Sequence, residues 1–305
     1  MDSNLVGQIA AIATSCVWTF SSILFTESVR KIGSLSLNAY RIVSAVGFLG
    51  VTHIILLGAL LPAANSEQVF WLGISGIVGL GIGDFGLFAA FAIIGPRRSV
   101  LVMALSPIFA SIGAFLMLGE IVSPQAILGI ATTIAGVTWV VLEREHRSME
   151  APISRRFKIR GVLFALVGAI GQGMGLVFSK KGILLNPDIA LNALSATLIR
   201  MTFGALFVWI SIIAAGRFPD LRIALNRKQG MKYAVAAAFF GPFIGVTLSM
   251  VAVTFTQTGV AQTLMSLMPV FIIPVVWVLY KQRISWRGIL GAAIAVIGVA
   301  ILFLT

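Results

Sequence analysis

Charge is scarce in this chain. Only 10% of its 305 residues are Asp, Glu, Lys or Arg, against about 25% in an ordinary soluble domain. Another 59% are hydrophobic, and the mean hydropathy is +1.04. No water-soluble core can hide that much apolar surface, so the bilayer has to be the solvent. Cysteine is nearly absent: Cys16 stands alone, which excludes an internal disulfide and a thiolate metal site. It reads as a small apolar filler. The two histidines, His53 and His146, are far apart in sequence, so no metal-ligand spacing exists. There is no GxxxxGK[ST] stretch and no soluble domain to hold a nucleotide. A β-barrel is excluded because its strands alternate apolar and polar residues, whereas these apolar runs are continuous. The start, MDSNLVGQ, lacks a basic leader region and a cleavage motif, so the first apolar segment reads as a retained helix.

What the chain does contain is spans. A helix crossing the roughly 30 Å hydrocarbon core needs about 20 mostly apolar residues. Ten such segments are expected: 5–26, 37–61, 68–94, 98–118, 124–142, 161–179, 189–214, 231–256, 259–280 and 286–304. Glycines, Asp84 and Gln257 interrupt the third and eighth.

The net charge of +12 is an orientation signal. Arg30, Lys31, Arg97, Arg98, Arg144, Arg147, Arg155, Arg156, Lys158 and Arg160 fall in alternate loops. So do Arg217, Arg222, Arg227, Lys228, Lys232, Lys281, Arg283 and Arg287, making 18 of the 22 Lys and Arg. The opposite side holds Lys180 and Lys181, while Arg41 and Arg200 lie inside segments. The positive-inside rule then places those five loops in the cytoplasm and both termini outside, in a multi-pass cell-membrane protein. Nucleic-acid binding is unsupported; membrane lipid is the surrounding partner.

The stretch 143–160, EREHRSMEAPISRRFKIR, reads as a charged cytoplasmic linker between halves 1–142 and 161–305. A shift of 162 residues pairs Gly79 with Gly241, Gly83 with Gly245, Leu105 with Leu267 and Pro107 with Pro269. It also pairs Phe109 with Phe271, Ser123 with Ser285, Gly129 with Gly291 and Gly136 with Gly298. Upstream the shift falls slightly, matching Arg41 to Arg200 and Phe20-Ser21 to Phe178-Ser179. Five helices per half make the copies inverted, an arrangement that secondary transporters use to hold substrate near the midplane. The expected fold is therefore all-α and integral to the membrane, with ten transmembrane helices as two inverted five-helix repeats.

The residues also carry a resemblance. FAIIGPRRSVLVMALSPIFASIGAFLMLGEIVSPQAILGIATTIAGV, 91–137, resembles the second part of an EamA domain. Its marks are Ser106-Pro107, then Leu118-Gly119-Glu120, then glycines nine and sixteen residues after Glu120. TQTGVAQTLMSLMPVFIIPVVWVLYKQRISWRGILGAAIAVIGV, 256–299, is similar, although Lys281-Gln282 replaces the Gly-Glu pair. The chain thus resembles the EamA type of the drug/metabolite transporter superfamily. That resemblance implies ten helices, no bound cofactor, and export or exchange of amino acids, nucleotide-related compounds or drugs. Some members are described with both termini in the cytoplasm, opposite to the charge-based orientation kept here. Glu120, the family's acidic position, is expected to fix a turn or helix end.

Ionisable groups within a bilayer cost about 2.5–3.5 kcal/mol or more, so each is a candidate. Asp84 is the sharpest. A desolvated carboxyl takes up a proton more readily than one in water, so Asp84 could load and release a proton, or bind a cationic substrate. A structural ion pair with an arginine, or a polar place in a vestibule, is the plainer reading. Arg41 and Arg200 could neutralise Asp84 or clamp a carboxylate or phosphate; Arg41 could instead snorkel to the surface. Lys180, at the end of the sixth segment, could face an anionic group or snorkel. Glu27 sits three and four residues before Arg30 and Lys31, the spacing of a surface helix pair. His53 could relay protons or be held by a neighbouring helix. Gln172, Gln257 and Gln262 add buried hydrogen-bonding capacity, and Trp18 could stack on a planar substrate or simply pack. Gly79, Gly83, Gly241 and Gly245 read as close helix packing; Pro242, Pro107 and Pro269 read as kinks. The third and eighth segments are expected to border the pathway. Gly81-x-Gly83-x-x-Gly86 fits a dinucleotide pattern only superficially, because no strand precedes it.

Three functional classes fit this frame. The first is a secondary carrier moving a small polar or amphipathic metabolite by alternating access, with proton-coupled export open, as a monomer or homodimer. A lipid flippase or accessory membrane subunit is the second. An enzyme on lipid-linked substrates is the third, and it lacks the usual cluster of His, Asp or Glu at one membrane face.

Overall fold

The structure is a computed structural model describing residues 2–145, 155–185, 191–280 and 285–304. Among them nine helical stretches are long and apolar enough to cross a membrane. The first, Ser3–Leu57, has 55 residues and would be about 80 Å long if straight, far beyond one bilayer. Gly33, at φ 78° and ψ 162°, divides it. Ten spans result: α1 (3–32), α2 (34–57), α3 (Ser66–Gly95), α4 (Arg98–Leu118), α5 (Pro124–Glu145), α6 (Arg155–Leu184), α7 (Ala193–Ala214), α8 (Lys228–Phe255), α9 (258–280) and α10 (Trp286–Phe303). A short amphipathic helix, Phe218–Leu225, links α7 to α8.

Several boundaries differ from the sequence expectation. The α1–α2 link is not a loop over 27–36; helix continues to a single left-handed glycine, which only Gly adopts without strain. The second span ends at Gly58 rather than at 61, with a left-handed C-cap whose N–H bonds the Ile54 carbonyl. The sixth span runs on to Leu184, so Lys180 lies a turn inside its helix, not at its end. The expected linker 143–160 falls partly outside the described residues, as does His146.

The two interrupted spans are continuous but wound differently. α3 passes through π-helix over Gly76–Gly83 and α8 through π-helix over Phe239–Gly245. A π turn widens the helix and frees backbone groups, which relieves the missing N–H of Pro242. The kink expected at Pro242 is therefore a π segment. Shifted by 162 residues, the two π segments overlap and end at the same position. The same shift superimposes the turns that interrupt α4 at Ala104–Leu105 and α9 at Ser266–Leu267. Pro107 and Pro269 follow in the next helical turn, where a missing N–H costs least.

The two halves are also locked by glycine. An added Cβ at Gly298 would lie 2.9 Å from the Gly129 carbonyl oxygen, and one at Gly136 only 2.7 Å from that of Gly291. Gly129 and Gly291 are repeat mates, as are Gly136 and Gly298. The crosswise pairing means that α5 and α10 run antiparallel, which is the inversion expressed as contact. Large apolar side chains such as Ile55, Leu116, Ile121 and Trp286 remain exposed, as a lipid-facing surface requires.

Candidate functional site

Asp84 follows directly on the π segment of α3 and is buried, 5% exposed. Its Oδ2 is ion-paired to Arg41 Nη2 from α2. Its Oδ1 accepts a hydrogen bond of 2.9 Å from Gln172 Nε2 on α6. Asn38, one turn before Arg41, accepts from Arg41 Nε at 3.0 Å and Nη2 at 2.8 Å. The guanidinium also lies 5.4 Å from the ring centre of Phe25 and 5.7 Å from that of Phe88, within cation–π range. Arg41 does not snorkel: the carboxylate holds it inside. Three sequence candidates, Asp84, Arg41 and Gln172, thus form one cluster that joins the halves.

Arg200 on α7 is 2% exposed. Nη1 donates to Ser179 Oγ at 3.1 Å and lies 3.9 Å from the sulfur of Met250. Nε is buried without a partner. Asp84 is within electrostatic range, but its ion pair is with Arg41. Room for this guanidinium comes from glycine: a Cβ at Gly79 would stand 2.8 Å from Nη2, and one at Gly175 3.3 Å. Gly79 therefore makes space for a side chain as well as for a helix. Gly83 meets the Gly171 backbone of α6, Gly241 meets Ser21 of α1, and Gly245 meets Trp18. Each half's third helix accordingly packs on the other half's first.

A second cluster lies at the end of the bundle where α4 and α6 finish. Lys180 Nζ is 2.7 Å from Glu120 Oε1 and donates to the Thr256 carbonyl at 2.6 Å. Glu120 also accepts from the backbone N–H of Thr258 at 2.8 Å and from its hydroxyl at 3.0 Å. It thereby fixes a helix end, that of α9 in the other half. Beside the pair is a cavity of about 390 Å³ lined by Asn4, Gln8, Lys180, Thr256 and Gln257 among others.

The remaining candidates lie apart. His53 Nδ1 faces the Ala59 carbonyl at 2.5 Å, and Nε2 faces Ser195 Oγ at 2.9 Å. A carbonyl can only accept, so Nδ1 carries a proton, and Ser195 can satisfy the other nitrogen. Gln262 Nε2 donates to Ser106 at 2.8 Å, while its Oε1 is buried without a partner. Glu27 pairs with Arg30 at 2.9 Å on the surface. Gln257 reaches the Ile121 carbonyl.

Known proteins agree with this frame. The EamA-like transporter family matches residues 5–142 and again 159–304. The chain belongs to that family. It is a membrane transporter family of the drug/metabolite superfamily, and the ten helices in two repeats are its fold. One solved structure, described only as the crystal structure of a protein, superposes with a TM-score of 0.76 at 16% identity. It covers 98% of this EamA-like chain and 96% of its own, and it bears on the fold alone. Two structures of the sodium–calcium exchanger NCX_Mj, both 17% identical, cover 98% of this chain and 96% or 97% of theirs. Their TM-scores of 0.19 and 0.17 carry no comparison of fold. No curated protein sequence matches.

For this EamA-like chain, sequence reasoning missed several polar neighbours. Asn38 was visible in principle, one helical turn before Arg41. The Glu120–Lys180 pair was not, since the two residues are distant in sequence and nothing local marks the contact. Ser75 and Ser179, 2.6 Å apart, carried no signal beyond small size.

Proposed function

We propose that this EamA-like protein is a secondary transporter that moves a small polar or amphipathic metabolite across the cell membrane by alternating access. Halves 1–142 and 161–305 would be the units that rock, with the charged linker between them. One observation carries the reading: the Asp84 cluster takes Arg41 and Asp84 from one half and Gln172 from the other. Buried ionisable groups at the interface of inverted repeats are where such carriers place substrate and coupling ions. Arg200 lies in the same polar zone. Asp84 is the group proposed to carry a coupling proton. His53, bound on both ring nitrogens, and Glu27, on the surface, are outside this pathway.

The experiment is uptake by proteoliposomes containing the purified chain, screened with labelled amino acids, nucleotide-related compounds and drugs, with and without a pH gradient. Protein-dependent accumulation of some of these is expected. If vesicles with and without protein behave alike across the screen while fluorescent lipids are scrambled, the flippase alternative replaces this reading.

A further inference from the structure

We infer that Arg200 is the receptor for an oxyanion, and that the transported molecule is an organic anion carrying a carboxylate or phosphate. The inference rests on the proposed transport function and deepens it by naming the substrate class. An arginine has five N–H donors in a fixed fork and stays charged. Arg200 is 2% exposed, yet it makes one conventional hydrogen bond, to the Ser179 hydroxyl, and one long contact to sulfur. Its Nε is buried and unpartnered. Among the described residues no carboxylate contacts it. A buried charge so poorly matched is costly unless another group completes it.

The repeat identifies what is missing. Arg41 and Arg200 are mates, and Phe88, beside the Arg41 guanidinium, corresponds to Met250, beside Arg200. Asp84, which neutralises Arg41, corresponds to Val246. The first half thus supplies its arginine with a carboxylate of its own, and the second half does not. Two arginines and one carboxylate leave the zone with a surplus positive charge, counting Asp84 as ionised. The carved space between Gly79 and Gly175 shows that the backbone is shaped around this guanidinium. The Asp84 charge is already matched by Arg41, while Arg200 remains able to bind two oxygens side by side.

The test is thermal unfolding of the purified full chain in a non-ionic detergent, titrated with benzoate, phenyl phosphate or benzylamine against sodium chloride of equal ionic strength. A ligand that binds only the folded protein raises the midpoint with concentration. At least one of the two anions is expected to raise it by several degrees; which one does so separates carboxylate from phosphate. Benzylamine is expected to act like chloride, and Arg200→Gln to abolish the anion effect. Arg200→Lys keeps the charge but loses the fork, so at least about tenfold more anion should be needed; it serves if the glutamine variant does not fold. No shift with either anion, an equal shift in the variants, or stabilisation by benzylamine overturns the inference. Anion stabilisation without uptake in any proteoliposome would sink the transport reading and leave the anion site standing.

Discussion

The carboxylate of Glu120, at the end of α4, and the ammonium of Lys180, in the last turns of α6, meet at 2.7 Å with only 12% and 10% of their side chains exposed. The contact ties the first half to the second beside the cavity that Asn4, Gln8 and Thr256 line. Glu120 also caps α9 through the Thr258 N–H, so one carboxylate serves three helices.

Breaking one side of that pair should cost more than removing both. Glu120→Gln leaves an ammonium in a poorly solvated place with neutral oxygens and no countercharge as partners. A loss of about 3–5 kcal/mol is expected for such an orphaned charge, read as a lower unfolding midpoint in detergent. Glu120→Gln with Lys180→Met should recover much of the loss. If the double variant is no more stable than Glu120→Gln alone, the two charges are not coupled.

Glycines of α6 and α2 separate tight packing from spare space. A Cβ at Gly171 would stand 2.6 Å from Gly83 Cα and 2.8 Å from the Val78 carbonyl oxygen. Both are backbone atoms that cannot swing aside. Gly171→Ala should therefore destabilise by about 1–3 kcal/mol or more. Gly47, mid-helix in α2, has nothing within 4 Å of the same position. Gly47→Ala should be neutral or stabilise by up to about 1 kcal/mol. Paired melting curves in one detergent compare the two directly.

The spans were legible because each is an apolar run that only a membrane accommodates, and the repeat was legible through Gly129, Gly136 and their mates. The run of segment 37–61 misled, because Leu60 and Leu61 are apolar but follow a left-handed Gly58 that stops the helix. The π segments were half-visible: Gly79, Gly83, Gly241 and Pro242 marked the places, but not the winding. Asp84 with Arg41 was one of several pairings open in sequence. Which arginine wins depends on where α2 and α7 stand relative to α3 in the folded bundle, and no short-range pattern encodes that. The burial of Lys180 was hidden for a related reason, since its partner Glu120 lies 60 residues away in the other half.

Asp84→Asn tests the coupling role proposed for the carboxyl. Asparagine keeps the shape and can still accept from Gln172, but it cannot exchange a proton or neutralise Arg41. Accumulation driven by a pH gradient should fall to the level seen without one, while exchange of labelled for unlabelled substrate persists. Normal gradient-driven accumulation by Asp84→Asn would rule out Asp84 as the coupling group.

Orientation can be read chemically from the two faces. In a Cys16→Ser background, Arg222→Cys places a thiol at an exposed position of the short helix Phe218–Leu225. Ser66→Cys places one at the exposed start of α3, on the opposite side of the bundle. The basic loops are expected in the cytoplasm because Lys and Arg are retained on that side during insertion. An impermeant maleimide added to whole cells should then label the residue-66 thiol and spare the residue-222 thiol until the cells are opened. A reporter active only in the cytoplasm should stay silent at the C-terminus. The reverse pattern would mean that the charge bias does not set the topology of this chain, and that both termini face the cytoplasm as in some members of the family.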